Sequence, residues 1–399
     1  MTRQIGTIAR GLRTPIFSEG DDLIKIIPDL LLDIAHHSKF EIKDKDVLAI
    51  TESIVARTQG NYASIYDIET DIKNKLNGEK RLGITFPILS RNRFATVLRG
   101  IARSVDELII QLSYPADEVG NHLFPVDLLF DKDINPYQDV LNEQEFFNLF
   151  GKSEHPFTGM DYIETYRTIV EAEGTKCQII FANDVTQILN YTKNILTCDV
   201  HTRHQSKRLL TQKGGQIVLG LEDILNKPTF LHGYNQQFGL LGSNKASDER
   251  VKLFPRDCQV VVDKIAQRIN ELTGKQVEVM IYGDGAFKDP VGRIWELADP
   301  VVSPAYTKGP AGKPNEIKLK YLADNDYKNL SKEEQIEAIN RRIKENKESE
   351  EAADFKGQLG TTPRQLTDLL GSLADLTSGS GDKGTPVVYI QGYFDNFSD

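Results

Sequence analysis

The clearest hydrophobic periodicity lies between Asp257 and Gly274, where Val260, Val261, Ile265, Ile269 and Leu272 recur at helical spacing. That pattern predicts an amphipathic helix stopping at Thr273-Gly274, since glycine accommodates the turn that closes a helix. The apolar run from Val277 to Ile281 predicts a buried strand, and it ends in Gly283-Asp284-Gly285. An Asp thus sits where a strand gives way to a glycine-flexed turn, a common place for ligand-binding loops. Near the start, the pattern predicts a loop over Gly11 to Gly20, an apolar helix from about Asp21 to His37, and a strand at Val47 to Thr51. Asp21 or Asp22 can cap that helix by accepting from its free backbone N–H groups. Pro28 is expected to bend it.

From about Asn61 to Tyr234 the pattern predicts helices mixed with short strands, such as Leu108 to Leu112 and Gln178 to Phe181, without a visible repeat. Turn-rich connections at Asp131 to Tyr137 and Gly151 to Gly159 predict several loops or an inserted subdomain. After Tyr321, Ser331 and Glu334 form a capping-box pair, and Glu337 and Arg341 follow at i,i+4 spacing, which predicts a solvated surface helix. A second helix is expected from Pro363 to Leu376. It leads into SGSGDKGTP and a final strand, Val387 to Gln391.

Length and composition bound the class. At 399 residues, with 39% hydrophobic and 27% charged side chains, the chain is a folded protein of one large or two medium domains. Its 48 basic and 58 acidic side chains leave a net charge of -10, which opposes binding to nucleic acid or an anionic membrane. No apolar run approaches the roughly 18 residues of a membrane helix. The opening MTRQIGTIARGLRTP lacks the apolar core of a secretory signal, so a cytoplasmic location is expected. Cys177, Cys198 and Cys258 form no disulfide framework and are expected to be small buried hydrophobes.

Candidate chemistry concentrates in Gly283 to Thr307, where Asp284, Asp289, Glu296 and Asp299 crowd together among glycine and proline breaks. Hard cations such as magnesium take oxygen ligands, and phosphates usually complete their shell. Lys288 and Lys308 could counter phosphate charge. The plainer alternative is a solvated acidic loop, against which Trp295, Val301 and Val302 suggest a packed segment. In Ser378 to Pro386, Gly379, Gly381 and Gly384 let the backbone turn its N–H groups toward an anion, although the lysine-serine pattern of a P-loop is absent. Taken alone, that segment reads as a flexible turn. Asp117, Glu118 and Asn121 in PADEVGN could add metal or substrate contacts, but a capped helix start is the default there. Cys198, His201 and His204 are spaced for zinc but lack an evident fourth ligand. Nothing marks a cysteine as an activated nucleophile.

In this order the pieces resemble the gamma-glutamyl ligase family that adds glutamate to the deazaflavin coenzyme F-420. Leu12, Pro15 and Glu19-Gly20-Asp21-Asp22-Leu23 resemble its LPxIxxGDDL opening, with Arg13-Thr14 expanding the start. DVLAITESIVARTQG, Asp46 to Gly60, resembles its strand and loop GDxxVxxxKIVSKxEG, with Arg57 where lysine is usual. Gly242 to Ser247, Leu253 to Asp257, Val279 to Arg293 and Thr367 to Gly392 continue the likeness, which covers roughly half the chain. The stretch from about 61 to 230 is much longer than the family's usual middle region.

The resemblance implies an α+β fold: a split core of mixed sheet and helices from residues 1–60 and 236–399, around an inserted or expanded middle region, 61–235. It places nucleotide contacts on Leu12 to Pro15, Glu52, Ser53, Arg57, Ser247 and the loop Ser378 to Thr385, which includes Gly379, Ser380, Gly381, Asp382 and Gly384. It places metal ligands on Asn244, Asp284, Gly285 and Ser380. Two positions depart from the family: Asn244 stands where an acid is usual, and Gly285 where threonine is. Asp117, Asp248 and Asp289 are the candidate replacements. The implied reaction uses GTP or ATP with Mg2+ or Mn2+ to join L-glutamate to a carboxylate acceptor through an acyl phosphate. Asp284 is its metal ligand and Arg57 its phosphate contact, in a homodimer. A folate-type acceptor, a non-catalytic nucleotide-binding protein and a metal-dependent phosphohydrolase are the rival readings.

Overall fold

The computed structural model describes residues 5–88, 94–117, 120, 122–154, 161–200, 202–228, 233–283, 287–288, 295–296, 303–311, 319–348, 365–379 and 384–394. Strand β1 (Ile8–Leu12) leads through an open loop into helix α1 (Leu23–Ser38). Asp22 caps α1, its carboxylate accepting from the N–H groups of Ile24 and Lys25. A cap of this kind contributes about 1 kcal/mol. Pro28 lies inside α1, which continues unbroken through it. Next come β2 (Val47–Thr51), α2 (Glu52–Thr58), β3 (Tyr62–Ser64) and α3 (Ile65–Leu76).

The middle of the chain runs through β4 (Arg81–Thr85), α4 (Phe94–Arg103), β5 (Glu107–Leu112), α5 (Asp127–Asp131), β6 (Leu141–Asn142) and α6 (Glu143–Phe150). It continues with α7 (Tyr162–Ala172), β7 (Lys176–Phe181), β8 (Asn194–Thr197), α8 (Arg203–Gln212) and β9 (Ile217–Gly220). The last part holds β10 (Asn244–Lys245), β11 (Arg250–Lys252), α9 (Cys258–Thr273), β12 (Glu278–Tyr282), β13 (Phe287–Lys288), β14 (Trp295–Glu296) and β15 (Ala305–Tyr306). Helices α10 (Leu319–Tyr321), α11 (Lys332–Glu348) and α12 (Leu366–Ser378) then precede β16 (Val387–Gln391).

Among the described residues, a five-stranded sheet joins the two ends of the chain in the order β1-β16-β2-β12-β15. β2 and β12 are parallel, while β16 runs antiparallel to both β1 and β2. Alternate side chains of these strands point to opposite faces, so the runs VLAIT, EVMIY and VVYIQ must be apolar on both. Leu48, Ile50, Val279 and Ile281 pack on one face against Ile27 and Leu31 of α1 and Val262, Ile265 and Ile269 of α9. Val47, Ala49, Met280 and Val388 meet Leu370 and Ala374 of α12 on the other.

The middle of the chain builds a six-stranded sheet, β6-β7-β5-β4-β8-β9, parallel except for β6. Side chains of α4 and α7 join the core on one face, and Leu210 of α8 joins that on the other. Phe238, Leu240, Val251, Leu253 and Phe254 extend the first of these cores. A small sheet, β10-β11-β3, stands at the junction. The structure is α+β, as the resemblance implied, with several mixed sheets and helices.

A capped helix start is expected at Pro115 to Asn121, but the described residues there, 115–117 and 120, are not helical. Ala116 instead pairs with His122 in an isolated antiparallel bridge, directly after the cis bond Tyr114-Pro115. A local acidic cluster signals a cap only if helical residues follow, and here the backbone closes on itself. Ser331 and Glu334 do form their capping box, with bonds of 2.8 and 3.3 Å at the start of the exposed helix α11.

Candidate functional site

Pairing in the five-stranded sheet brings four chain segments to one end of it. Thr51 stands beside Tyr282 in the parallel pair, so β2 and β12 run out at the same end, into Glu52 and Gly283 respectively. β16 enters there, and the N–H of Thr51 donates to the carbonyl of Pro386 at 3.0 Å. Leu12 pairs with Val387, so the loop leaving β1 starts at that end too. Loops beyond the carboxyl ends of parallel strands are a preferred place for ligands.

Helix α2 starts abruptly because Thr51 caps it. Ser53 and Arg57 are one turn apart, and both are exposed, while Ile54, Val55 and Ala56 are buried. Glu52 turns inward, is 3% exposed, and accepts from Lys252 Nζ at 2.5 Å. Lys252 of β11 is flanked in its ladder by Asn244 of β10 and Tyr62 of β3. Asn244 therefore neighbours the lysine that grips the start of α2. Ser247 is exposed in the turn between β10 and β11. Asp248, a candidate replacement ligand, pairs with Lys245 at 2.7 Å, and that lysine holds its carboxyl below the ordinary value.

The glycine segment is described at its two ends. Gly379 takes a left-handed conformation to close α12, and Gly384 has φ +68° with nothing within 4 Å of where a Cβ would stand. A Cβ on Gly11 would come within 2.9 Å of Thr385, so only glycine lets β1 approach this loop so closely. Leu12 is 3% exposed and its side chain belongs to the core, which leaves only its backbone for a ligand. Pro15 is exposed.

Asp284, Gly285, Asp289, Asp299, Val301, Val302, Ser380, Gly381 and Asp382 lie outside the described residues, as do Glu118, Asn121 and His201. The side chains of Lys288, Trp295 and Glu296 lie outside them as well. Gly283 and Gly379 fix where the chain enters the first and last of these segments. Asp117 is placed elsewhere, on the loop leaving β5 of the six-stranded sheet.

A cleft of about 290 Å³ opens at the start of α9, lined by Tyr234, Gln237, Arg256, Gln259 and Pro304 among others. The Arg256 guanidinium lies 4.8 Å from the Tyr234 ring centre and donates to Asn61 Oδ1. The charge of Glu52 also reaches Cys258 in the wall of this cleft: burial first, then Glu52 and Asp257, push its thiol up to about 12. Burial likewise pushes Cys177 up to about 12. Neither is an activated nucleophile. Cys198 is buried and donates to Leu196 O. Among the described residues, no group of three or more His, Cys, Asp and Glu could hold a metal, and no helix is long and apolar enough to cross a membrane. Lys252 and Arg256 escaped the sequence reading. Their one signal was cationic residues inside the otherwise apolar run VKLFPR.

An α+β fold whose five-stranded sheet combines strands from both ends of the chain sets the class of protein. The model of the F420-0:gamma-glutamyl ligase family matches residues 11–392, nearly the whole chain, and the chain belongs to that family. It is thus a gamma-glutamyl ligase in the general sense, a family of enzymes that form amide bonds. No curated protein matches it.

Proposed function

We propose that this chain joins L-glutamate to the carboxylate of a small-molecule acceptor, at the expense of GTP or ATP and with Mg2+ or Mn2+. The supporting observation is the meeting of four chain segments at one end of the five-stranded sheet, one of them bounded by the left-handed glycines Gly379 and Gly384. In the proposed reaction an acceptor carboxylate oxygen bonds to the terminal phosphorus, and the bond from that phosphorus to the bridging oxygen breaks. Nucleoside diphosphate leaves. The glutamate nitrogen then bonds to the acyl carbon, phosphate departs with the former carboxylate oxygen, and the amine gives up a proton.

The residues divide the work. Arg57 and Ser53, exposed together on α2, contact phosphate oxygens, and the backbone of Gly379 to Gly384 donates to them. Asp284, Asn244, Ser380 and Asp289 would supply oxygen ligands to the cation, which would neutralise phosphate charge when bound. Positioning and electrostatic stabilisation suffice, because phosphoryl transfer needs little covalent help from a protein. Glu52, fixed by Lys252, holds the first turn of α2 in place. The 290 Å³ cleft at the start of α9 receives a substrate carboxylate against Arg256.

The test is purified chain given nucleotide, either cation, glutamate and a panel of carboxylate acceptors that includes a deazaflavin and a folate. Mass spectrometry reads the mass gained per glutamate, and a coupled assay reads diphosphate. Diphosphate release matched by product mass supports the reading. Phosphate release without glutamate would point to a hydrolase, and nucleotide binding without turnover to a binding protein. The same preparation, sedimented at equilibrium, tests the expected homodimer.

A further inference from the structure

The cleft at the start of α9 holds two opposite charges in one lining. Arg256 and Asp257 both line it, together with Gln236 and Gln237. Asp257 is exposed and Arg256 only half-buried, so a solute in the cleft reaches both. Among the described residues Arg256 makes no ion pair, and the Asp257 carboxylate accepts no hydrogen bond. Asp257 stands at the N-cap of α9, where an Asp side chain ordinarily accepts from the first turn, yet it makes no such bond.

The guanidinium is fixed in place by uncharged partners. Its Nη1 donates to Asn61 Oδ1, and the group lies 4.8 Å from the Tyr234 ring centre. Asn61, 0% exposed, also bonds the N–H and the carbonyl of Tyr234 at 3.0 and 3.1 Å and donates to Phe254 O at 2.6 Å. Gln59 accepts from the Arg256 N–H at 2.8 Å and donates to the Arg256 carbonyl at 2.7 Å. These contacts leave Nε and Nη2, which share one edge of the guanidinium, without a partner among the described residues. Such an edge matches a carboxylate with two parallel bonds, and holding it beforehand spares a ligand the cost of ordering it.

The cleft also has a place relative to the five-stranded sheet. Ala305 pairs with Ile281 and Tyr306 with Met280, so Pro304, another lining residue, lies toward Tyr282 and the exit of β12 into Gly283. That is the end of the sheet at which the four chain segments meet.

We propose that this cleft binds a free α-amino acid, its carboxylate accepting from Arg256 and its ammonium donating to Asp257. A lone anion would meet the Asp257 charge and a lone cation the Arg256 charge, whereas adjacent ammonium and carboxylate groups answer both. A volume of about 290 Å³ lies at the lower edge of the range of about 300–1,000 Å³ usual for small-molecule sites, which suits an amino acid better than a nucleotide. The exposed amides of Gln236 and Gln237 can donate to a second carboxylate. That the amino acid is L-glutamate rests on the ligase reading; the charge pattern of the cleft does not.

The experiment is calorimetric titration of the full chain with L-glutamate and, in parallel, with glutarate, which lacks the ammonium. Both are run first without nucleotide and then with Mg2+ and a non-hydrolysable GTP analogue. Glutamate should bind wild type, and Asp257→Asn should weaken it at least tenfold. Asn tolerates the left-handed φ of +51° as Asp does, so this variant keeps the backbone. Glutarate should lose nothing from that substitution, because it has no ammonium for Asp257 to hold. Arg256→Gln should weaken both ligands at least tenfold, and the Asp257 variant decides alone if the Arg256 variant fails to fold by circular dichroism. No glutamate binding to wild type in either condition, or unchanged glutamate affinity in Asp257→Asn, would overturn the inference. Equal losses of glutamate and glutarate in Asp257→Asn would overturn it too, since they would mark a merely structural role. A chain that binds glutamate through Asp257 yet turns over no acceptor would keep it and defeat the ligase reading. Normal turnover with glutamate binding unmoved by Asp257→Asn would do the reverse.

Discussion

Lys252 Nζ donates to Glu52 Oε1 at 2.5 Å, joining two buried side chains 200 residues apart in the chain. The pair pins β11, and with it Asn244, to the start of α2. Removing one partner from a buried ion pair leaves a charge without its counterpart, at a cost of about 3 kcal/mol. Lys252→Met is expected to lower the unfolding free energy by roughly that amount, measured by urea denaturation. The double variant Glu52→Gln, Lys252→Met should recover part of the loss. A double variant no more stable than Lys252→Met would show that the pair is not the source.

Asp284→Ala should abolish diphosphate release while leaving the melting temperature within a few degrees of wild type. Full turnover by the variant would remove Asp284 from the cation site.

Arg57→Ala tests the exposed face of α2. Arg57 is solvent-exposed and surface substitutions away from special features usually change stability by less than about 0.5 kcal/mol. The expectation is unchanged stability with a KM for nucleotide raised at least tenfold. An unaltered KM would move the phosphate contact elsewhere.

Gly384→Ala separates space from backbone conformation. No atom lies within 4 Å of the added methyl, but φ +68° disfavours any L side chain by roughly 1 kcal/mol. A small fall in stability is expected together with weaker nucleotide binding, both measured on one preparation by melting with and without nucleotide. Nucleotide-induced stabilisation equal to wild type would argue against this loop as the phosphate cradle.

Acid should expose the network on α4. Burial alone would raise the Glu173 carboxyl, but Arg99 and Arg103 outweigh it and hold it below the ordinary 4.5. Glu69 behaves alike under Lys73 and Arg103. A carboxyl depressed in the folded state stabilises the protein above its unfolded value and ceases to do so as pH falls through the folded one. Arg103→Met is therefore expected to cost on the order of 1–2 kcal/mol near pH 7. The gap should narrow progressively below about pH 4.5, read from melts across pH. A gap independent of pH would mean that Arg103 acts through packing alone.

Local chemistry made several elements legible. The periodicity after Asp257, the Asp22 cap, the Ser331 and Glu334 box and the doubly apolar run Val387 to Gln391 each depend on near neighbours in the chain. The same holds for the glycines at 379 and 384, whose left-handed conformations are a property of the residue itself. The PADEVGN reading failed because a cap motif cannot report what the backbone does next.

By itself, then, the sequence determined several of the elements, among them β2, α9, α11 and β16, and which family the chain resembles. Tertiary structure alone decided that β2 and β12 run parallel, bringing Glu52 and Gly283 to one end of a sheet. It also decided that Lys252 meets Glu52 and that Asp117 lies on a loop leaving a strand of a different sheet. The physical reason is common to all of these. Strand pairing and buried charge contacts are settled by competition among segments far apart in the chain, and no local pattern encodes which distant partner wins.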